Sequence, residues 1–297
     1  MDETEIRPGR AAIWMIGAIV SFSTMAVAGR AVSFELDTFE IMTYRSVVGV
    51  LAVLIIGRVA GTLGQVKRRN LHLHFFRNIF HFGGQNLWFF AITVIPLAQV
   101  FALEFTSPLW VVVLAALFLG ERLTAVKILA GLLGFAGILI VVRPWGVEVS
   151  PGMITAALAA LCFAATAIFT KRLTRSETIT CILFYLTTMQ LGFGLICSLY
   201  DGEMSTPSLV TLPWLVLIGF AGLTAHFCLT KALSLAPASI VMPIDFVRLP
   251  VIALIGVILY GEALEWPVLF GAVLIFGANY INILASNKKP NVSVKAA

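Results

Sequence analysis

The chain is a near-continuous series of apolar stretches, each about the length needed to cross a bilayer, separated only by short polar breaks. Ten stretches are readable, at 11–30, 38–57, 73–95, 97–119, 125–142, 151–171, 178–199, 211–234, 238–260 and 266–285. A spanning helix needs about 20 mostly apolar residues, and in lipid only helices or closed barrels satisfy every backbone polar group. With 60% hydrophobic and only 12% charged residues, the chain lies far outside the balance of a soluble domain. The expectation is an all-α integral membrane protein with ten transmembrane helices. No break is long enough to hold a soluble domain.

A second pattern constrains the arrangement. Pro96, Glu104, Phe105, Gly120, Glu121 and Leu123, displaced by 141 residues, fall on Pro237, Asp245, Phe246, Gly261, Glu262 and Leu264. The same shift carries Phe22, Ala26 and Arg30 onto Phe163, Ala167 and Lys171. The chain therefore reads as a duplication, with one five-helix unit over 1–145 and a second over 146–297. Five spans is an odd number, so the second unit starts on the opposite side of the membrane and the two repeats are inverted, an architecture found mainly in transporters.

Charge fixes the orientation. With the N-terminus in the cytoplasm, 14 of the 20 Lys and Arg residues fall inside and only Arg30 and Arg143 outside. Arg45, Arg77, Lys231 and Arg248 lie within or at the edge of spans. This is a strong positive-inside bias, and it predicts a multi-pass protein of the cytoplasmic (inner) membrane with both termini cytoplasmic. The net charge of +5 follows from that topology and from contact with anionic lipid, and it gives no reason to invoke nucleic acid. Arg7, Arg10 and the apolar run up to Ala28 mimic a secretory leader, but the run is too long and further spans follow, so a retained first helix is expected. Cys162, Cys181, Cys197 and Cys228 all lie in apolar stretches as small hydrophobes. They form no disulfide framework or metal spacing, and neither cofactor nor metal is expected.

Polar groups inside apolar spans are the candidates for function, since each costs about 2.5–3.5 kcal/mol on insertion scales when unpartnered. Glu104 stands four residues before Pro108, whose ring cannot donate to the Glu104 carbonyl and breaks the helix. Its copy Asp245 is bracketed by Pro243 and Pro250. Under the inverted topology each carboxylate lies about 10 Å from its entry face, on opposite sides of the midplane. Two readings stand for the pair. They either form structural ion pairs, Asp245 with Arg248 and Glu104 with Arg45 or Arg77, or contact substrate or a coupled proton directly.

The third span carries Arg77, His81 and Gln85 at spacing four, with Trp88 three further on, so these side chains share one helix face. Asn86 thickens the region with further hydrogen-bonding capacity, while Phe89 and Phe90 read as packing or interfacial rings. In the eighth span His226 lies one turn from Thr230. His81 and His226 are further candidates for proton coupling, because histidine titrates near neutrality. Tyr44, Tyr185 and Gln190 are weaker candidates for lining a cavity. Ala130, Gly131, Gly134 and Gly137 in the fifth span, and Gly271, Ala272 and Gly277 in the tenth, allow close helix approach, within one chain or between two copies.

The size, the duplication and the helix ends Leu117-Phe-Leu-Gly-Glu-Arg-Leu123 and Ile258-Leu-Tyr-Gly-Glu-Ala-Leu264 resemble the drug/metabolite transporter superfamily, specifically its EamA-type ten-helix members. The resemblance spans about residues 11–285. It implies secondary active transport through a central cavity lined by spans one to four and six to nine, with the fifth and tenth peripheral. It also implies that Glu121 and Glu262 are architectural. Family members move amino acids, nucleosides, vitamins, quaternary amines and other metabolites, some inward and some outward. One subgroup imports riboflavin, and Arg77, Gln85, Asn86, Trp88 and Phe89 would suit a flat, hydrogen-bonding heterocycle as they would an aromatic amino acid. An exporter of the same fold is the near alternative, and an intramembrane enzyme or a non-transporting structural protein the distant one. No His-Glu-x-x-His or Gly-x-Ser-x-Gly motif supports an enzyme. As partners the sequence implies a small-molecule substrate, the lipid bilayer and proton coupling, in a monomer or homodimer. The copy fails in one place: Arg77, His81 and Gln85 fall on Ile218, Gly222 and His226, so most of the polar stripe has no counterpart.

Overall fold

The computed structural model describes residues 8–119, 124–143, 145, 148–173, 176–200, 202–235 and 244–287. Gly120, Glu121, Arg122, Leu123, Pro237 and Pro243 of the sequence argument lie outside them. Among the described residues the structure is helical without strands: α1 (Pro8–Val32), α2 (Thr38–Val59), α3 (Leu71–Val94), α4 (Leu97–Glu104), α5 (Ser107–Leu119), α6 (Ala125–Val142), α7 (Pro151–Leu173), α8 (Ile179–Ser198), α9 (Leu212–Leu235), α10 (Arg248–Tyr260) and α11 (Trp266–Asn287). Seven stretches of the described residues, including the run through α4 and α5 over Leu97–Leu114, are long and apolar enough to cross a membrane.

Local chemistry sets the helix ends. Asp37 caps α2 in a reciprocal capping box with Glu40, and Thr124 and Thr178 cap α6 and α8 through their hydroxyls, each satisfying amides that a helix start leaves open. Gly261 ends α10 in the left-handed region at φ 63°, where glycine carries no steric penalty. The expected fourth span is two helices. Its backbone turns at Phe105–Thr106 immediately after Glu104, because Pro108 cannot close the next helical hydrogen bond. The ninth span repeats this: the helical residues Ile244–Asp245 are followed by a turn at Phe246–Val247 before α10 begins.

Packing pairs the helices reciprocally. α1 lies on α9 and α3 on α7; α2 meets α9 and α3 meets α8; α4 meets α7 and α1 meets α10. α2 packs on α8, α4 on α10 and α6 on α11. Under the 141-residue displacement these nine pairings map onto one another, whereas the contacts of α3 with α1 and α2 and of α4 with α11 have no counterpart of like extent among the described residues. At the α6–α11 seam, a side-chain carbon on Gly137 would sit 2.8 Å from the Gly271 carbonyl, and one on Gly271 would sit 2.7 Å from the Gly137 carbonyl. Gly134, Gly137 and Gly271 are therefore occupied within the chain, whereas Gly131 and Gly277 face open space.

The surface is inverted relative to a soluble protein. Leu132, Phe135, Leu254, Ile258, Phe270 and Val273 stand exposed on helix faces, while Arg77, Asn78, His81, Gln85, Gln190, Asp245 and Arg248 are buried. Apolar surface outside and charge inside is the arrangement lipid imposes. The chain is a multi-pass membrane protein.

Candidate substrate and coupling site

The buried polar groups form two clusters. The first centres on Arg248 at the start of α10. One guanidinium nitrogen, Nη2, donates to Glu104 Oε1 at 3.0 Å and to Asp245 Oδ2 at 3.2 Å. Trp88 Nε1 donates to the other Glu104 oxygen at 2.8 Å. Phe22, Phe101 and Phe105 surround the guanidinium, with ring centroids 4.7, 5.0 and 5.0 Å from its carbon. The two helix breaks make this possible, since each ends a helix at the carboxylate and turns the side chain inward.

This corrects one expectation. Glu104 pairs with Arg248, not with Arg45 or Arg77, so that the two carboxylates meet at one cation. They share one nitrogen because Arg248, which falls on Ser107 in the internal copy, sits between the two breaks. Asp245 with Arg248 is the pairing that spacing predicted.

The second cluster lies between α2, α3 and α9. Arg45 donates through Nη1 to Gln85 and stands 5.9 Å over the Phe89 ring. The His81 and His226 rings meet edge to face at 5.4 Å. Neither nitrogen of His81 has a hydrogen-bond partner, although the side chain is only 2% exposed. Arg77, one turn from His81, donates to Thr170 Oγ1 and to Asn78 Oδ1, both at 3.1 Å. Among the described residues no carboxylate lies within ion-pair distance of Arg45 or Arg77. Arg45, Thr187, Gln190, Gly222 and His226 help line a cavity of about 20 Å³, room for about one water.

The α3 stripe thus shares one face but reaches four neighbours: Trp88 joins the Arg248 cluster, Gln85 meets Arg45, His81 meets His226 and Arg77 meets α7. Asn86 turns its amide to its own helix at the Phe82 carbonyl, 2.8 Å away. Tyr44 donates to the Ser205 carbonyl at 2.6 Å in the loop before α9 and does not line the cavity. Asn78 joins the Arg77, Gln190, His74 and Tyr185 networks. It and His74 were missed by reading only every fourth residue from Arg77, although positions 74, 78, 81, 85 and 88 follow the alternating four-and-three spacing of a helix face. His74, Glu177 and Cys181, distant in sequence, offer ligand atoms within 4.8 Å of one another, where cysteine spacing alone gave no metal signal.

At the end of the bundle where α1, α3 and α10 terminate, Arg30 pairs with Glu262 and donates to the Ile92 and Ile95 carbonyls. Glu262 also accepts the Leu97 amide at 2.9 Å. Glu35 accepts from the Thr211 and Ser208 hydroxyls and the Ser208 amide, which hold its carboxyl below the usual range. These bonds join the two halves at that end, beside an open recess of about 450 Å³.

The comparisons agree with this fold. The model for the EamA-like transporter family matches twice, over residues 9–143 and 150–284. The chain belongs to the EamA-like transporter family. Two relatives place it among drug/metabolite transporters: a riboflavin transporter of Brucella anthropi, 34% identical over 72% of this chain and 77% of that one, and an S-adenosylmethionine uptake transporter of Rickettsia bellii, 26% identical over 93% and 94%. A crystal structure 18% identical in sequence superposes with a TM-score of 0.64 over 95% of this chain and 100% of that one, a likeness of fold. For an EamA-like chain, the Glu262 bonds to Arg30 and to the start of α4 are those of a structural tie between helices.

Proposed function

We propose that this protein is a secondary carrier of a small organic metabolite across the cytoplasmic membrane, working by alternating access. In this reading ten spans form two inverted five-helix repeats, residues 1–145 and 146–297, with both termini cytoplasmic and α4 and α5 counted as one span. The observation that carries it is the reciprocal helix packing, together with matching breaks directly after Glu104 and Asp245. Two units related by such an exchange can rock against each other about a fixed centre.

The Arg30, Glu35 and Glu262 bonds close one end of the bundle, assigned to the outside by the positive-inside rule. They must break for that end to open. Glu104 and Asp245 are the proposed coupling groups, sharing a cation that either can release on protonation. Arg45, Arg77, His81, Gln85, Asn86, Trp88, His226 and Arg248 are the proposed surroundings of substrate. The names of the relatives support uptake of a heterocycle such as riboflavin.

Proteoliposomes test the reading. Across a panel of radiolabelled vitamins, nucleosides and amino acids, riboflavin among them, at least one should enter faster under an inward proton gradient and exchange with its own unlabelled form inside. Absence of uptake and counterflow by folded protein across vitamins, nucleosides and amino acids would defeat the carrier reading.

A further inference from the structure

We propose that the transported molecule carries an anionic group, a carboxylate or a phosphate, that docks on Arg45 in the cavity bounded by Gln190 and His226, with Arg77 as the second positive charge. The inference rests on the carrier reading and narrows its substrate class from flat heterocycles in general to acidic ones.

The argument is one of charge balance. Burying a guanidinium in the bilayer interior demands a counter-charge. For the other buried guanidinium groups that demand is met: Arg248 has two carboxylates and Arg30 has Glu262. Arg45 and Arg77 are the exceptions among the described residues. Their hydrogen bonds go to Gln85, Thr170 and Asn78, neutral acceptors that satisfy donors without cancelling charge.

The described carboxylate on this side, Glu177, accepts from Asn70 and lies beside His74 without pairing with Arg77. His81 offers two buried, unpartnered nitrogens, and the Gln190 Oε1 oxygen is likewise unpartnered. Asn78 is already committed to Arg77, the His74 carbonyl and Gln190. The region therefore holds two fixed positive charges without a counter-charge among the described residues, and it is those guanidinium forks that complement an oxyanion. Arginine's planar fork matches a carboxylate or phosphate edge in a way that a lysine does not. The small size of the cavity fits a site that admits ligand only when the halves separate.

The test compares ligands that differ in charge at one group. Purified protein in detergent is unfolded thermally with increasing riboflavin or flavin mononucleotide, and nicotinamide or nicotinate, with sodium chloride and inorganic phosphate as anion controls. The anionic member of a pair should stabilise at a concentration at least tenfold lower than its neutral partner. R45Q and R77Q should each remove that preference, while R45K, which keeps charge but not the fork, should retain part of it. Size-exclusion profiles establish which variants are folded, and R45K keeps the test open if R45Q fails to fold.

Equal stabilisation by the neutral and charged members, or a preference that survives in folded R45Q, overturns the proposal. Chloride or phosphate alone stabilising as strongly as the organic anions also overturns it, by reducing the site to a general ion site. Neutral riboflavin transported without any anion preference would sink this inference and leave the carrier standing. Binding of acidic ligands without any transport would do the reverse.

Discussion

The two polar clusters inside this protein are built from the same residue types and differ in one respect. Around Arg248, three charged groups from two helix breaks, one indole and three phenylalanine rings meet with charges matched or in acidic excess. Around Arg45 and Arg77, the charges are all positive and the partners neutral. A buried pair that loses one partner becomes costly, whereas a buried charge without a partner is already costly. The first cluster reads as a finished junction between the halves, and the second as a site awaiting a ligand. Substitutions should therefore change stability in opposite directions in the two places.

The largest effect is expected at Arg248. Arg248→Leu leaves Glu104 and Asp245 buried without a cation, at a cost of about 3–5 kcal/mol, measured as loss of folded protein or a large fall in thermal midpoint. The triple change R248L/E104Q/D245N should recover most of that loss. A triple variant no more stable than R248L would mean that the phenylalanine cage, not charge, holds the junction.

Trp88→Phe removes the indole donor to the Glu104 carboxylate and should cost about 1.5–3 kcal/mol; an unchanged midpoint would detach Trp88 from the cluster. Glu104→Gln keeps one acceptor oxygen for Arg248 but sets its amide nitrogen against the Trp88 N–H, so its stability cost is of the same order, about 1.5–3 kcal/mol. It should nonetheless abolish the response of transport to a pH gradient. Normal gradient-driven uptake by E104Q would remove Glu104 from coupling.

The smallest change in stability, with the opposite sign, is expected in the second cluster. Arg45→Gln and Arg77→Gln each remove an uncompensated charge and should leave the ligand-free midpoint unchanged or raise it, by less than about 1 kcal/mol equivalent, while substrate uptake falls. A clear fall in the ligand-free midpoint of either variant would mean that its guanidinium is already balanced, and the contrast between the clusters would collapse.

Much of this was legible beforehand. The spans predicted at 125–142, 151–171 and 266–285 lie on α6, α7 and α11 with ends off by no more than two residues, because hydropathy and helix period are properties of contiguous residues. The fourth span was legible as a break but not as two helices, since proline marks where a hydrogen bond is lost without saying whether the chain bends or turns. The sharing of Asp245 and Glu104 by Arg248 was only half legible. Asp245 and Arg248 are one turn apart, whereas Glu104 lies 144 residues away, and no local pattern chooses it over Arg45 or Arg77 as a partner.

The sequence by itself determined that this chain lives in a bilayer, roughly where most of its helices lie, that residues 141 apart repeat one another, and which polar residues lie within the apolar stretches. Each of those follows from composition, from periodicity or from a fixed displacement along the chain. Only the tertiary structure decided which buried charges meet. That depends on how helices far apart in sequence rotate and cross, and a few ångströms there separate a paired junction at Arg248 from an unbalanced pair of cations at Arg45 and Arg77.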